Sequence, residues 1–135
     1  MSNEKRGIQR FDLTGRVAIM TGAGKGLGRA MALGLAEAGA DMVLTSRTME
    51  ELESLAKEIN ALGQKALPIQ ADILEPGAGE EVIARAEKEM GHIDILVNNA
   101  GINIRKDAVD LQIEEFKRVI DTNLSGTFLF SQAVG

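Results

Sequence analysis

The stretch Val17-Ala18-Ile19-Met20-Thr21-Gly22-Ala23-Gly24-Lys25-Gly26-Leu27-Gly28-Arg29-Ala30 decides how this chain is read. Val17 to Met20 is a short continuous apolar run, the pattern of a parallel strand covered on both faces. Leu27, Met31, Gly34, Leu35 and Ala38 then recur at helical spacing, which predicts the inward stripe of a helix. A strand that feeds a helix through glycines makes an anion site, because the N–H groups of the first helical turn are unpaired and point beyond the helix end. Glycine lets a ligand backbone approach where a Cβ would block it. The glycines at 22, 26 and 28 are spaced G-x-x-x-G-x-G, not G-x-G-x-x-G. Set between a strand and a helix, this loop points to dinucleotide binding over a merely structural turn.

Working outward, Met1 to Thr14 reads as a surface arm with Phe11 and Leu13 as its anchors, and residues 15–135 as one domain. The first helix ends near Gly39, a left-handed cap. Asp41 to Ser46 is a second strand. The next helix places Leu52, Leu55, Ala56, Ile59 and Leu62 inward and stops at Gly63, with Glu50, Glu51, Glu53, Lys57 and Glu58 as a solvated face. Ala66 to Ala71 is a third strand in which Pro68 suits an edge position. A Gly/Pro-rich loop spans Asp72 to Gly79. Glu80 to Met90 is a third helix with Val82, Ile83, Ala86 and Met90 inward. Ile93 to Val97 is a fourth strand, and a last helix runs from about Ile113.

Alternating strands and helices with short connections mean right-handed βαβ units. The fold class is α/β, a doubly wound, Rossmann-type parallel sheet with the first four strands in the order 3-2-1-4. Ligands of such sheets bind beyond the carboxyl ends of the strands. Here those ends carry Thr21-Gly22, Ser46-Arg47, Asp72-Ile73 and Asn98-Asn99-Ala100-Gly101, small or polar groups aimed at one crevice.

Composition narrows the function. Hydrophobic content of 44 % and charged content of 26 % over 135 residues suit a globular domain with a real core. A net charge of −5 argues against a nucleic-acid surface. The chain has no cysteine, which excludes disulfides and thiolate metal sites. No apolar run approaches membrane-spanning length, no His/Asp/Glu set has metal-ligand spacing, and the default location is the cytoplasm. His92 reads as a surface turn residue, and Lys106, Asp107 and Asp110 as a solvated loop.

At these residues the chain resembles the short-chain dehydrogenases/reductases. Thr21-Gly22-x-x-x-Gly26-x-Gly28, Asp72-Ile73, Asn98-Asn99-Ala100-Gly101 and Asp121-Thr122-Asn123-Leu124-x-Gly126 match that family's motifs in order over nearly the whole chain. Phe11 to Gly15 and Asn98 to Asn103 are similar to gluconate 5-dehydrogenase-like sugar-acid oxidoreductases, and 3-oxoacyl-carrier-protein reductases share the same motifs. The resemblance implies that Gly22, Lys25, Gly26, Leu27 and Gly28 hold the pyrophosphate. It implies that Asp72 and Ile73 meet the adenine, and that Asn99, Ala100 and Gly101 line the ribose and nicotinamide side. Thr21 would tie the first strand to the N-N-A-G segment. Asn123 would be catalytic, bending its helix and holding a water in the proton relay; the alternative is a helical Asn facing solvent, at about half a kcal/mol. A homotetramer built partly on the Asn123 helix, with a small-molecule substrate, is also implied.

Charge at the end of the second strand bears on the cofactor. NAD binders place a carboxylate there for the ribose 2′-hydroxyl. This chain has Ser46, with Arg47 next to it and Lys25 in the glycine loop, which favours NADP(H) while leaving NAD(H) usable. Lys25 and Arg47 as ordinary surface cations are the alternative.

The family's Tyr-x-x-x-Lys and polarising Ser have no match, and the chain contains no tyrosine. Two readings follow: the N-terminal part of a full enzyme, or a dinucleotide-binding module without turnover. The first is preferred. The fourth strand would otherwise expose an apolar edge, and Phe128, Leu129 and Phe130 would lack partners. Gln112 stands where Ser or Thr would cap the last helix, with Glu115 three residues on, an incomplete capping box that costs around 1 kcal/mol.

Overall fold

The computed structural model describes residues 4–135; Met1–Asn3 of the expected arm lie outside the described residues. Four parallel strands, β1 (Val17–Thr21), β2 (Asp41–Ser46), β3 (Ala66–Gln70) and β4 (Ile95–Val97), lie in the order β3-β2-β1-β4. Successive side chains alternate between the two faces. Ala18, Met20, Met42 and Leu44 face α1 (Gly26–Glu37) and α2 (Met49–Ala61). Val17, Ile19, Val43, Leu67 and Ile69 face α3 (Ala78–Met90) and α5 (Gly126–Val134). β1 is buried along its whole length, as its unbroken apolar run requires. Pro68 sits on the edge strand β3, where its missing N–H costs no ladder bond.

Four sequence expectations are corrected. The inward line of α1 is Gly28, Ala32 and Ala36, not the stripe led by Leu27, which is 71 % exposed. Small residues at i, i+4 and i+8 bring the helix close to the sheet, and Met31, Leu33 and Leu35 pack at the sides of that line. Phe11 is exposed in a 3₁₀ turn over Gly7–Phe11 and anchors nothing. Leu13 does pack on the core, and its N–H donates to the Ala38 carbonyl at 2.8 Å. Phe130 is buried with Val82, Ile83 and Ala86 beneath the sheet, whereas Phe128 and Leu129 are exposed as expected. Glu58 is no bystander, because it pairs with Arg29 and joins α2 to α1.

Helix α3 starts at Ala78, earlier than its charge pattern suggested. Ala78 and Gly79 are buried, and a Cβ on Gly79 would stand 3.3 Å from that of Ala133, so small residues set the α3–α5 approach. β4 is shorter than expected and starts at Ile95. Before it, the Asp94 carboxylate does what a ladder carbonyl would do, accepting the Val17 N–H at 2.8 Å while its own N–H donates to the Val17 carbonyl. His92 Nε2 lies 3.0 Å from the Gly15 carbonyl and 3.1 Å from Asp94.

The Val17 N–H, with His92 and Arg16 nearby, holds the Asp94 carboxyl below its ordinary value of 3.8. A group depressed in the folded state adds stability above its unfolded pKa and loses it as pH falls through the folded value. Asp94→Ala should therefore lower the thermal midpoint. The gap from the parent should be full above about pH 5 and close in more acid solution. Melting curves across pH test this, and a gap that does not vary with pH refutes it.

Candidate dinucleotide site

The carboxyl ends of the strands open onto a crevice of about 520 Å³. Its floor is the Thr21 hydroxyl. Thr21 is buried at the last position of β1, and its Oγ1 accepts the N–H groups of Asn99 and Ala100, each at 3.0 Å. The same hydroxyl donates to the Val97 carbonyl at 3.4 Å. Asn99 Nδ2 answers by donating to the carbonyls of Thr21 (3.2 Å) and Gly22 (3.1 Å). Two strand ends are thus sewn together where the ladder stops.

The glycine loop lies against this seam. Gly22 has φ +62, and a Cβ there would stand 2.9 Å from the Ala100 Cα. A Cβ on Gly28 would strike the Gly22 carbonyl. Any side chain at either position would push the loop off the N-N-A-G segment. Helix α1 begins with no side chain capping it, so its first-turn N–H groups face the crevice unclaimed.

Most of the expected site residues come together here. Gly22, Lys25, Leu27, Gly28, Ser46, Arg47, Asp72, Ile73, Asn99, Ala100 and Gly101 all line the crevice. Leu27, exposed on α1, stands at the mouth of the crevice. Asp72 accepts the Leu74 N–H at 3.0 Å, which fixes the turn that presents Ile73. Gly126 makes room for Ile73, whose Cγ1 would lie 2.8 Å from a Cβ there.

Gly26 and Asn123 lie outside the lining. Gly26 has φ +59 and serves the turn. Asn123 sits in a π-helical turn, Asp121–Ser125, between α4 (Ile113–Ile120) and α5. Its Oδ1 accepts the Ile102 N–H at 2.8 Å and its Nδ2 donates to the Ile102 carbonyl at 2.9 Å. The amide thus pairs with the loop after β4 in the way a neighbouring strand would, rather than facing solvent alone. One amide hydrogen and one lone pair remain for another partner. At the start of α4, Glu115 Oε2 accepts the Gln112 N–H at 3.0 Å, so the reciprocal half of a capping box is formed, and Lys106 pairs with Glu115.

The residues suit a dinucleotide. The two glycines draw the loop onto the N-N-A-G segment, which brings the uncapped first turn of α1 to the crevice. Thr45, 3 % exposed on β2, borders the crevice with an Oγ1 that has no partner among the described residues. A buried hydroxyl is rarely left so, and a ligand or ordered water would complete it. Thr45, Glu51, Arg118 and Thr122 also line the crevice and were not singled out from the sequence. Thr122 immediately precedes Asn123, and Glu51 completes Thr48-x-x-Glu51, a capping-box pattern that could have drawn notice. Among the described residues no cluster of His, Cys, Asp or Glu is arranged for a metal, and no helix is long and apolar enough to cross a membrane.

Residues 16–135 match the family model described as short chain dehydrogenase. The chain is 40 % identical to a 2-dehydro-3-deoxy-D-gluconate 5-dehydrogenase of Escherichia coli K12, over 93 % of this chain and 49 % of that protein. It is 38 % identical to a gluconate 5-dehydrogenase of Gluconobacter oxydans, over 92 % of this chain and 48 % of that one. A crystal structure of a short-chain type dehydrogenase/reductase from Mycobacterium marinum superposes with a TM-score of 0.88 at 43 % identity, covering 92 % of this chain and 50 % of that one. The chain spans about half the length of the curated relatives it matches.

Thr21→Val keeps the shape but removes the acceptor for two N–H groups. It should cost about 1–3 kcal/mol, and Thr21→Ser should recover most of that loss. Urea unfolding of the three proteins checks this, and a Thr21→Val that is as stable as the parent, or a Thr21→Ser that loses as much as Thr21→Val, refutes it.

Proposed function

This chain belongs to the short-chain dehydrogenase family, and from that premise we propose that it contributes the cofactor site of an NADP(H)-preferring oxidoreductase. The reaction is hydride transfer between the nicotinamide and a secondary alcohol or ketone of a small polar substrate, a sugar acid foremost. The single observation that carries the reading is the convergence of four strand ends on one crevice at the uncapped start of α1. The relatives named for gluconate and 2-dehydro-3-deoxy-D-gluconate support the substrate class.

When bound, the dinucleotide supplies or accepts the hydride. The first-turn amides of α1 and the Gly22–Gly28 loop would receive its pyrophosphate. Asp72 and Ile73 would meet the adenine. Asn99, Ala100 and Gly101, held by Thr21, form the wall on the ribose and nicotinamide side. Asn123 is the catalytic residue contributed here. Its grip on Ile102 fixes the loop after β4, and its spare hydrogen and lone pair hold a water for proton relay. In the family the proton is handled by a Tyr and a Lys, and this stretch, about half the length of its relatives, contains no tyrosine. The rival reading is a dinucleotide-binding protein without turnover.

Lys25 and Arg47 stand at the crevice wall around Ser46, and neither forms an ion pair among the described residues. Two unpaired cations suit a 2′-phosphate. A homotetramer is supported by an exposed apolar line along α4 and the helix after it: Ile113, Phe116, Ile120, Leu124 and Phe128. A cytoplasmic setting completes the proposal.

Fluorescence titration should show NADPH binding to this chain, and the whole protein, tested on gluconate, 2-dehydro-3-deoxygluconate and a 3-oxoacyl thioester, should turn over the sugar acids, whereas the 135-residue chain alone should not. NADPH binding by the whole protein without turnover on any of them favours the silent reading. Arg47→Asp should weaken NADPH about tenfold or more and spare NADH; equal loss of both cofactors sinks the NADP(H) preference. Phe116→Glu combined with Leu124→Glu should yield a smaller assembly on analytical ultracentrifugation, whereas an unchanged sedimentation coefficient removes this surface as the interface.

A further inference from the structure

Glu51 occupies the place in α2 where a capping-box carboxylate would reach back to the Thr48 N–H. That N–H is already taken, because it donates to Ser46 Oγ at 3.3 Å. The Glu51 side chain turns the other way, into the crevice. A Cβ built on Gly24 would strike the Glu51 carboxylate, lie 3.0 Å from its Cβ and 3.2 Å from Ser46 Oγ. Gly24 is therefore the space that the carboxylate uses, beside the last residue of β2. Neither carboxylate oxygen has a hydrogen-bond donor among the described residues. The nearby Arg29 guanidinium meets the Glu51 main-chain carbonyl, Ser54 and Glu58 instead.

At the wall that would hold the adenosine ribose, this half-buried carboxylate has no protein donor among the described residues and stands free to accept one from a ligand. We propose that Glu51 sets the limit on NADP(H) preference: its carboxylate accepts from the 2′-hydroxyl of NAD(H) and repels the 2′-phosphate of NADP(H). The inference rests on the dinucleotide reading above. The strand end carries Ser46 and no acid, yet the fold brings one there from the helix. Lys25 and Arg47 attract the phosphate and Glu51 opposes them, so the crevice admits both cofactors with a moderate bias in place of a steep one. Because Glu51 no longer serves the cap, its charge can be removed without removing a helix contact.

The test is fluorescence titration of NADPH and NADH on the parent protein, Glu51→Gln and Arg47→Asp, with melting temperatures alongside. Gln keeps the size and capping capacity of Glu and discards the charge. Glu51→Gln should tighten NADPH about fivefold to tenfold and weaken NADH severalfold, with a melting temperature lowered only slightly by the loss of one carboxylate from the first turn of α2. An NADPH-to-NADH affinity ratio within about twofold of the parent overturns the role of Glu51. So does equal weakening of both cofactors with a lowered melting temperature, which would return Glu51 to the helix cap. If Arg47→Asp leaves the ratio unmoved while Glu51→Gln shifts it, Glu51 stands and the Arg47 argument for NADP(H) falls. If neither dinucleotide binds the parent protein, both readings fall together.

Discussion

Strand β4 is held to β1 over only three residue pairs, Ala18–Ile95, Ile19–Leu96 and Met20–Val97, and the crevice depends on that short join. A three-residue ladder is little to place a functional segment with. Side chains finish it at both ends. Asp94 takes the Val17 N–H at the entry, and the Thr21 hydroxyl takes the Asn99 and Ala100 N–H groups at the exit. Each replaces a backbone carbonyl that the strand does not supply. Buried backbone groups need partners, so these two polar side chains fix both the start of β4 and the course of the chain beyond it.

Closeness is the second constraint. Gly28, Ala32 and Ala36 let α1 lie against the sheet, and Gly22 lets the loop touch the N-N-A-G segment. With the loop drawn in, the unpaired amides of α1 and the ends of β1, β2 and β4 face one space. On the far side, Gly79 and Gly126 let α5 settle on α3 and on Ile73. Phe130 is buried there and roofs the lower core, although its neighbours Phe128 and Leu129 point outward. Asn123 then clasps Ile102 from the π turn, so the loop after β4 is held from the helix side as well.

Much of this was legible in the residues. The apolar runs of β1 and β2, the Pro68 edge, the 3-2-1-4 order and the strand-end residues lining the crevice are where the pattern put them. The misreadings share a cause. Helical spacing found apolar residues on α1 and ranked them by size, whereas the interface selects small ones. Phe11 looked like an anchor because it is aromatic, and its neighbour Leu13 is the residue that reaches the core. Glu51 and Glu58 were counted as solvated because charge suggests solvent, but one lines the crevice and the other bridges two helices.

By itself the sequence determined which segments are strands and helices, and which loop joins a strand to an uncapped helix start, because those properties follow from local periodicity and from glycine spacing. It also determined the family, since four motifs in order occupy nearly the whole chain. Only the tertiary structure decided the electrostatic balance of the crevice. The acid at the crevice wall comes from α2 and not from the strand end, and it turns inward where Ser46 has already claimed the Thr48 N–H. Charge acts through distance, and distances between residues on different elements are set by packing, which no local pattern records.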